Sequence, residues 1–138
     1  LPGPVVSVCA GGGGSGVALA RAGANRVLML EHAVDSVLSP GGFASSLWKD
    51  AARSGEACAV RKLTAQDLRR GGIVQGVRRE PEGGGHTDWE ATFRTMDAAV
   101  RKELAALDKL KGPALARRRY EMFRAMGRGL PPAREEEV

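Results

Sequence analysis

The stretch Cys9-Ala10-Gly11-Gly12-Gly13-Gly14-Ser15-Gly16 sets four consecutive glycines and a serine between two short apolar runs, Val5–Ala10 and Val27–Leu30. Glycines at 11, 13 and 16 satisfy G-x-G-x-x-G, and Glu31 stands 20 residues beyond Gly11. That spacing offers anion binding. Residues without a Cβ let backbone amides close on a pyrophosphate, and an acid after the second run reaches a ribose hydroxyl. Gly11 to Gly16 also supplies the G-x-x-x-x-G half of a phosphate loop. Val17 and Ala18 then occupy the places of the lysine and the hydroxyl residue, which removes that chemistry.

Val5–Glu31 resembles the opening strand–helix–strand unit of FAD- or NAD-binding oxidoreductases. The resemblance implies Gly11, Gly13 and Gly16 beneath the pyrophosphate and Glu31 on the ribose. The residues themselves lead elsewhere. Between Gly16 and Gly23 only Val17–Ala22 is left for the returning helix. That is about 9 Å of rise, where a crossover needs about ten to twelve residues or more. This favours a pliable glycine loop laid against a neighbour, with no bound cofactor.

Other chemistry is sparse. His32 and Asp35 are close in sequence, but nothing sets a serine beside them as a nucleophile. His86 sits in a glycine-rich linker, and Glu80, Glu82, Asp88 and Glu90 read as linker and helix-start charges. Cys9 and Cys58 are the only cysteines, no C-x-x-C occurs, and the two histidines stand apart. The expectation is two buried free thiols, no metal site and no catalytic residue.

The bases are clustered: Arg61-Lys62, Arg69-Arg70, Arg78-Arg79 and Arg117-Arg118-Arg119. Residues 1–60 carry four bases and four acids, so the whole net charge of +5 belongs to the rest. Arg117, Arg118 and Arg119 suit rRNA phosphates, anionic lipid headgroups or an acidic protein patch. With few aromatics nearby, base-specific reading of single-stranded RNA is not expected.

The elements that must position these groups follow from pattern. Val5–Ala10 and Val27–Leu30 read as short strands, Gly11–Gly16 as a loop, Val17–Ala22 as at most two helical turns, and Ser39-Pro40-Gly41-Gly42 as a breaker. Phe43–Arg53 reads as a helix ended by Gly55, Thr64–Arg70 as a capped helical turn, and Ile73–Val77 as a strand. Thr87-Asp88-Trp89-Glu90 is a capping box. Behind it Trp89, Phe93, Met96, Val100, Leu104, Leu107 and Leu110 form one apolar stripe. Gly112-Pro113 separates that helix from a second, Ala114–Met126. The resulting fold class is mainly α, with a small α+β arrangement as the alternative. It divides into an irregular glycine-rich region (1–82), a linker (83–86), a helical hairpin (87–130) and an acidic tail (131–138).

A chain with six aromatics and 19 glycines builds a thin core. The apolar stripe, Trp89, Phe93, Met96 and Val100 above all, therefore reads as a surface for partners. No apolar run is long enough to span a membrane, and the chain begins at Leu1 rather than Met. The expected function is a non-catalytic accessory subunit bracing an organellar respiratory or photosynthetic complex, in a mitochondrion or plastid. The alternatives are an organellar ribosomal protein and a dinucleotide-binding protein.

Overall fold

The computed structural model describes residues 1–36, 38–61, 64–126 and 128. Its first half is not irregular. Strand β1 (Val6–Cys9) is followed by β2 (Gly12–Gly14) and helix α1 (Ser15–Ala22); then come β3 (Arg26–Leu30), β4 (Val34–Ser36) and α2 (Pro40–Trp48). After a 3-10 turn at Ala51–Arg53 the chain forms α3 (Ser54–Arg61), α4 (Ala65–Arg70), β5 (Gly76–Arg78), α5 (Trp89–Leu107) and α6 (Gly112–Ala125). Two parallel sheets result, one ordered β1-β3-β5 and the other β2-β4. The expectation of a mainly α chain is thus corrected: this is a mixed α/β fold.

The topology is a spiral of strand–strand–helix units. Val6 lies opposite Arg26 in one sheet, and Gly12 lies opposite Val34 in the other. The first two units therefore each add one strand to each sheet, with a helix after the second strand, and β5 adds a third strand to the first sheet alone. This settles the crossover length. The path from β1 to β3 is carried by β2 and α1 together, not by six helical residues alone.

Arg26–Leu30 forms the central strand because four consecutive apolar residues suit burial on both faces of a parallel sheet, and Val27 to Leu30 are all buried. Val27, Met29 and Leu30 join Cys9, Ala24, Ala33, Ala65 and Val74 in one core cluster, with Met96 of α5 packed against it. Gly76 of β5 sits opposite Leu28, where a Cβ would meet the leucine Cδ2 at 2.9 Å. Ser39-Pro40-Gly41-Gly42 starts a helix rather than breaking one. Ser39 Oγ accepts from Gly42 N at 3.1 Å, and Pro40 enters the first turn, where its missing N–H costs nothing. Gly55 lies inside α3, so it does not end a helix either. Thr64 caps α4 through the Asp67 amide, as its spacing suggests. At α5 the cap is Asp88, whose carboxylate accepts from Ala91 N at 2.9 Å, and not Thr87.

One buried polar side chain ties the sheet to the C-terminal helices. Asn25 is 3% exposed; its Oδ1 accepts from Val5 N and Arg119, and its Nδ2 donates to the Leu115 carbonyl at 3.1 Å. Arg119 also donates to the Leu1 and Gly3 carbonyls. It clamps the N-terminal arm, while Arg117 and Arg118 stay exposed. The acidic tail lies outside the described residues.

Candidate functional site

The glycines at 12, 13 and 14 are strand residues, paired in parallel with Val34–Ser36. They are not a nucleotide turn, and the backbone leaves them abruptly. Gly14 is extended (φ −141°, ψ 161°), Ser15 follows at φ +50°, and α1 begins there. A left-handed conformation at a non-glycine residue costs about 1 kcal/mol, so the joint is held by its surroundings. Behind Gly13, a Cβ would overlap the Arg21 guanidinium and approach Asp35 Oδ1 at 2.6 Å. Arg21 of α1 and Asp35 of β4 pair at 2.9 Å, with side-chain exposures of 21% and 14%. This ion pair fastens the first helix to the second unit across the glycine strand, which only a residue without a side chain permits.

A cavity of about 280 Å³ opens between the units, walled by Gly12, Gly13, Gly14, Ser36, Ser39 and Pro40 among others. Gly14 is the N-cap of α1 and Ser39 that of α2, so two helix N-termini meet on it. Neither helix has an acidic residue in its first turn. Ser39 caps its own helix, but Gly14 has no side chain to cap α1. The amides that a cap usually takes, Gly16 and Val17, therefore have no side-chain cap; Gly14 itself walls this cavity, while Gly16 and Val17 line a separate groove with Val5, Val6 and Ala20. Open amides at the positive end of a helix favour an oxygen carrying negative charge. The site can thus polarise a carbonyl or hold an oxyanion.

The two serines among its described walls are engaged locally, Ser36 Oγ donating to the Leu38 carbonyl and Ser39 Oγ capping α2. Burial pushes the Cys9 thiol up, outweighing the Arg21 charge that lowers it; Asp35 adds to the rise. Cys9 Sγ donates to the Gly11 carbonyl at 3.2 Å and stays a structural thiol. Cys58 is exposed, not buried as expected. Among the described residues no group of His, Cys, Asp and Glu could hold a metal ion.

Glu31 is turned to another task. Its Oε1 accepts from Glu80 N at 2.7 Å. The Glu80 carboxylate accepts from His32 N and Gly85 N, both at 2.8 Å, and lies 3.0 Å from His32 Nδ1. Burial alone would raise the Glu80 pKa, yet these hydrogen bonds and the His32 charge together hold it below 4.5. The contribution to stability is therefore present above the unfolded carboxylate value and lost as pH falls through the lower folded one. Urea midpoints measured down through about pH 4.5 should fall less steeply for Glu80→Gln than for the native chain.

The partner candidates divide along α5. Trp89 and Phe93 are 59% and 62% exposed, their rings 5.8 Å apart, beside a cavity of about 380 Å³ shared with Ala10, Leu30, Glu80 and His86. Met96 and Val100 are half-buried, Met96 against the chain's own core. Sequence reasoning missed Arg21, Asp35 and Asn25. Each acts across units 14 or more residues apart, and no local spacing marks them.

The family described as acetyl co-enzyme A carboxylase carboxyltransferase-like matches residues 1–127. The chain belongs to that family. Similar relatives are each named acetyl-coenzyme A carboxylase carboxyl transferase subunit alpha. The one from a Methylobacterium species is 49% identical over 127 residues, which is 92% of this chain and 40% of the relative. That of Xanthobacter autotrophicus is 48% identical over 130 residues, 94% and 41% respectively. That of Caulobacter vibrioides is 47% identical over 125 residues, 91% and 39%. The carboxyltransferase-like chain thus spans about two fifths of these relatives' length.

Membership overturns several expectations. The relatives are subunits of an enzyme, not non-catalytic braces of a respiratory or photosynthetic complex. They come from bacteria, so the mitochondrial or plastid placement falls, and the organellar ribosomal reading with it. The FAD or NAD reading fails on the structure as well, because, of its three glycines, Gly13 lies in β2 and Gly16 inside α1, and Glu31 is spent on Glu80. No helix among the described residues is long and apolar enough to cross a membrane.

Proposed function

We propose that this carboxyltransferase-like chain supplies the oxyanion-holding part of an alpha subunit that moves a carboxyl group onto acetyl-coenzyme A. In the net reaction a C–H bond of the acetyl methyl breaks and a C–C bond to the carboxyl carbon forms. The bond from that carbon to its carrier breaks, and the methyl proton ends on the carrier. Negative charge passes through carbonyl oxygens on the way, and donors already aimed at such an oxygen lower the barrier without reorganising. The observation that carries this reading is the uncapped N-terminus of α1, whose N-cap Gly14 walls a glycine-lined cavity, with no acid in either first turn. The cleft has no general base of its own among its described walls, so its part is polarisation, and the chain works with other protein subunits. The name "subunit alpha" borne by the relatives supports that partnership.

The test is turnover by an assembled enzyme. The Methylobacterium alpha subunit would carry this chain in place of its matched 127 residues. Replacement of Gly14 by Asp should abolish most carboxyl transfer, and unchanged turnover would remove the proposal.

A further inference from the structure

We propose that the cavity of about 380 Å³ beside Trp89 and Phe93 binds a small organic cation whose nitrogen carries methyl groups in place of hydrogens. It opens where the parallel strands β1 and β3 end, lined there by Ala10 and Leu30, and the first turns of α5 wall it with Trp89, Phe93 and Met96. Space beyond the carboxyl ends of parallel strands is where such sheets take ligands, and an apolar lining with few polar groups is the usual one. One of the polar groups here is a carboxylate. The loop after β5 turns back through Gly83 and Gly84, at φ +87° and +107°, and brings the Gly85 amide onto Glu80. A Cβ at Gly85 would meet Glu80 Oε1 at 3.1 Å, so glycine keeps that approach open.

The charge in this cavity is negative. The Glu80 side chain is only 6% exposed and is ionised at neutral pH. No lysine or arginine stands among the cavity's described walls, and the His32 that faces the carboxylate is charged only when protonated. Residues 79–90 carry Glu80, Glu82, Asp88 and Glu90 against Arg79, in a chain whose net charge is +5. A fixed negative charge beside two aromatic rings attracts a cation. What the cavity lacks is free acceptors. Glu80 already accepts from His32 N and Gly85 N and lies against His32 Nδ1, and the Thr92 hydroxyl donates to the Gly85 carbonyl at 2.9 Å. A primary ammonium would give up water without finding partners for its N–H groups. A methylated nitrogen has no N–H to satisfy and lays apolar surface on Trp89, Phe93 and Met96. An anion meets repulsion, and a neutral body of the same shape forgoes the attraction.

The experiment titrates choline into the 138-residue chain at neutral pH and constant ionic strength, following the two indole N–H resonances by NMR. The Trp89 signal should move and saturate, while that of Trp48, which packs on Phe43 and Arg53 instead, stays in place. Two relatives of the probe separate its features. 3,3-Dimethyl-1-butanol has carbon where choline has its charged nitrogen, and ethanolamine has hydrogens where choline has methyls. Each should bind about tenfold more weakly or worse. Phe93→Leu changes an exposed ring and leaves Trp89 as reporter; it should weaken choline several-fold with the melting temperature unchanged. Glu80→Gln, checked for folding by its melting temperature, should bring choline down to the level of the neutral alcohol. If that variant does not fold, Phe93→Leu and the comparison of choline with the alcohol decide. An absent or non-saturating Trp89 shift would overturn the proposal. So would equal binding of the alcohol or of ethanolamine, or choline binding that Phe93→Leu leaves unchanged. No readout involves carboxyl transfer, so this inference and the proposed function stand or fall separately.

Discussion

Replacing Gly14 by Asp should lower carboxyl transfer by about 100-fold or more while leaving the fold as stable as before. The two effects point in opposite directions because the same groups produce them. An aspartate at an N-cap accepts from the second or third amide of the helix, here Gly16 or Val17, and its charge suits the positive end of the dipole. Gly14 already has an extended backbone, and its added Cβ would meet only the Ser36 carbonyl at 3.5 Å, an ordinary contact. Stability should therefore stay level or rise by a few tenths of a kcal/mol. Catalysis loses twice: the amides are occupied, and a fixed negative charge sits where one must develop. Thermal melting beside initial rates of the assembled enzyme checks both. A destabilised variant that keeps its activity would contradict the account on both counts.

Asp35→Leu should cost about 3 kcal/mol of unfolding free energy, at the lower end for a broken buried pair because Arg21 keeps some exposure to water. The loss leaves the Arg21 charge against the Gly13 backbone with a buried Nε that already has no hydrogen-bond partner. Adding Arg21→Met removes that charge and should restore most of the loss, since apolar replacement of both partners of a buried pair is often neutral. Urea unfolding of the two single variants and the double variant measures the coupling. Additive effects would show that the two side chains do not act as one fastening.

Some of this was legible in the sequence. Val27–Leu30 announced a buried strand by its unbroken apolar run, and Thr64 announced a helix start by the spacing to Asp67. The start of α5 followed from its period, although the helix ends at Leu107, short of Leu110 in the stripe. The glycine strand did not, because Gly12-Gly13-Gly14 has no strand preference of its own and forms only where Val34–Ser36 lies alongside. With β2 unread, the path from β1 to β3 looked too short, and the fold class went wrong with it. The site was half visible. Its glycines were found, but their spacing suggested a turn beneath a phosphate rather than a strand that ends in an uncapped helix. What decides between the two is Ser15 at φ +50° and the Arg21–Asp35 pair. Both are set by packing between units, which a one-dimensional pattern does not carry.

In the proposed reaction, backbone amides at the start of α1 carry the charge that develops during carboxyl transfer. This is tested most directly by deleting one amide hydrogen and nothing else. Glycolic acid incorporated in place of Gly16 turns that single amide into an ester, keeping the shape of the chain while removing the donor. The expected result is about a 100-fold or greater fall in kcat of the assembled enzyme with the melting temperature nearly unchanged. A kcat within about twofold of the native value, far below the loss expected for one such donor, would contradict it.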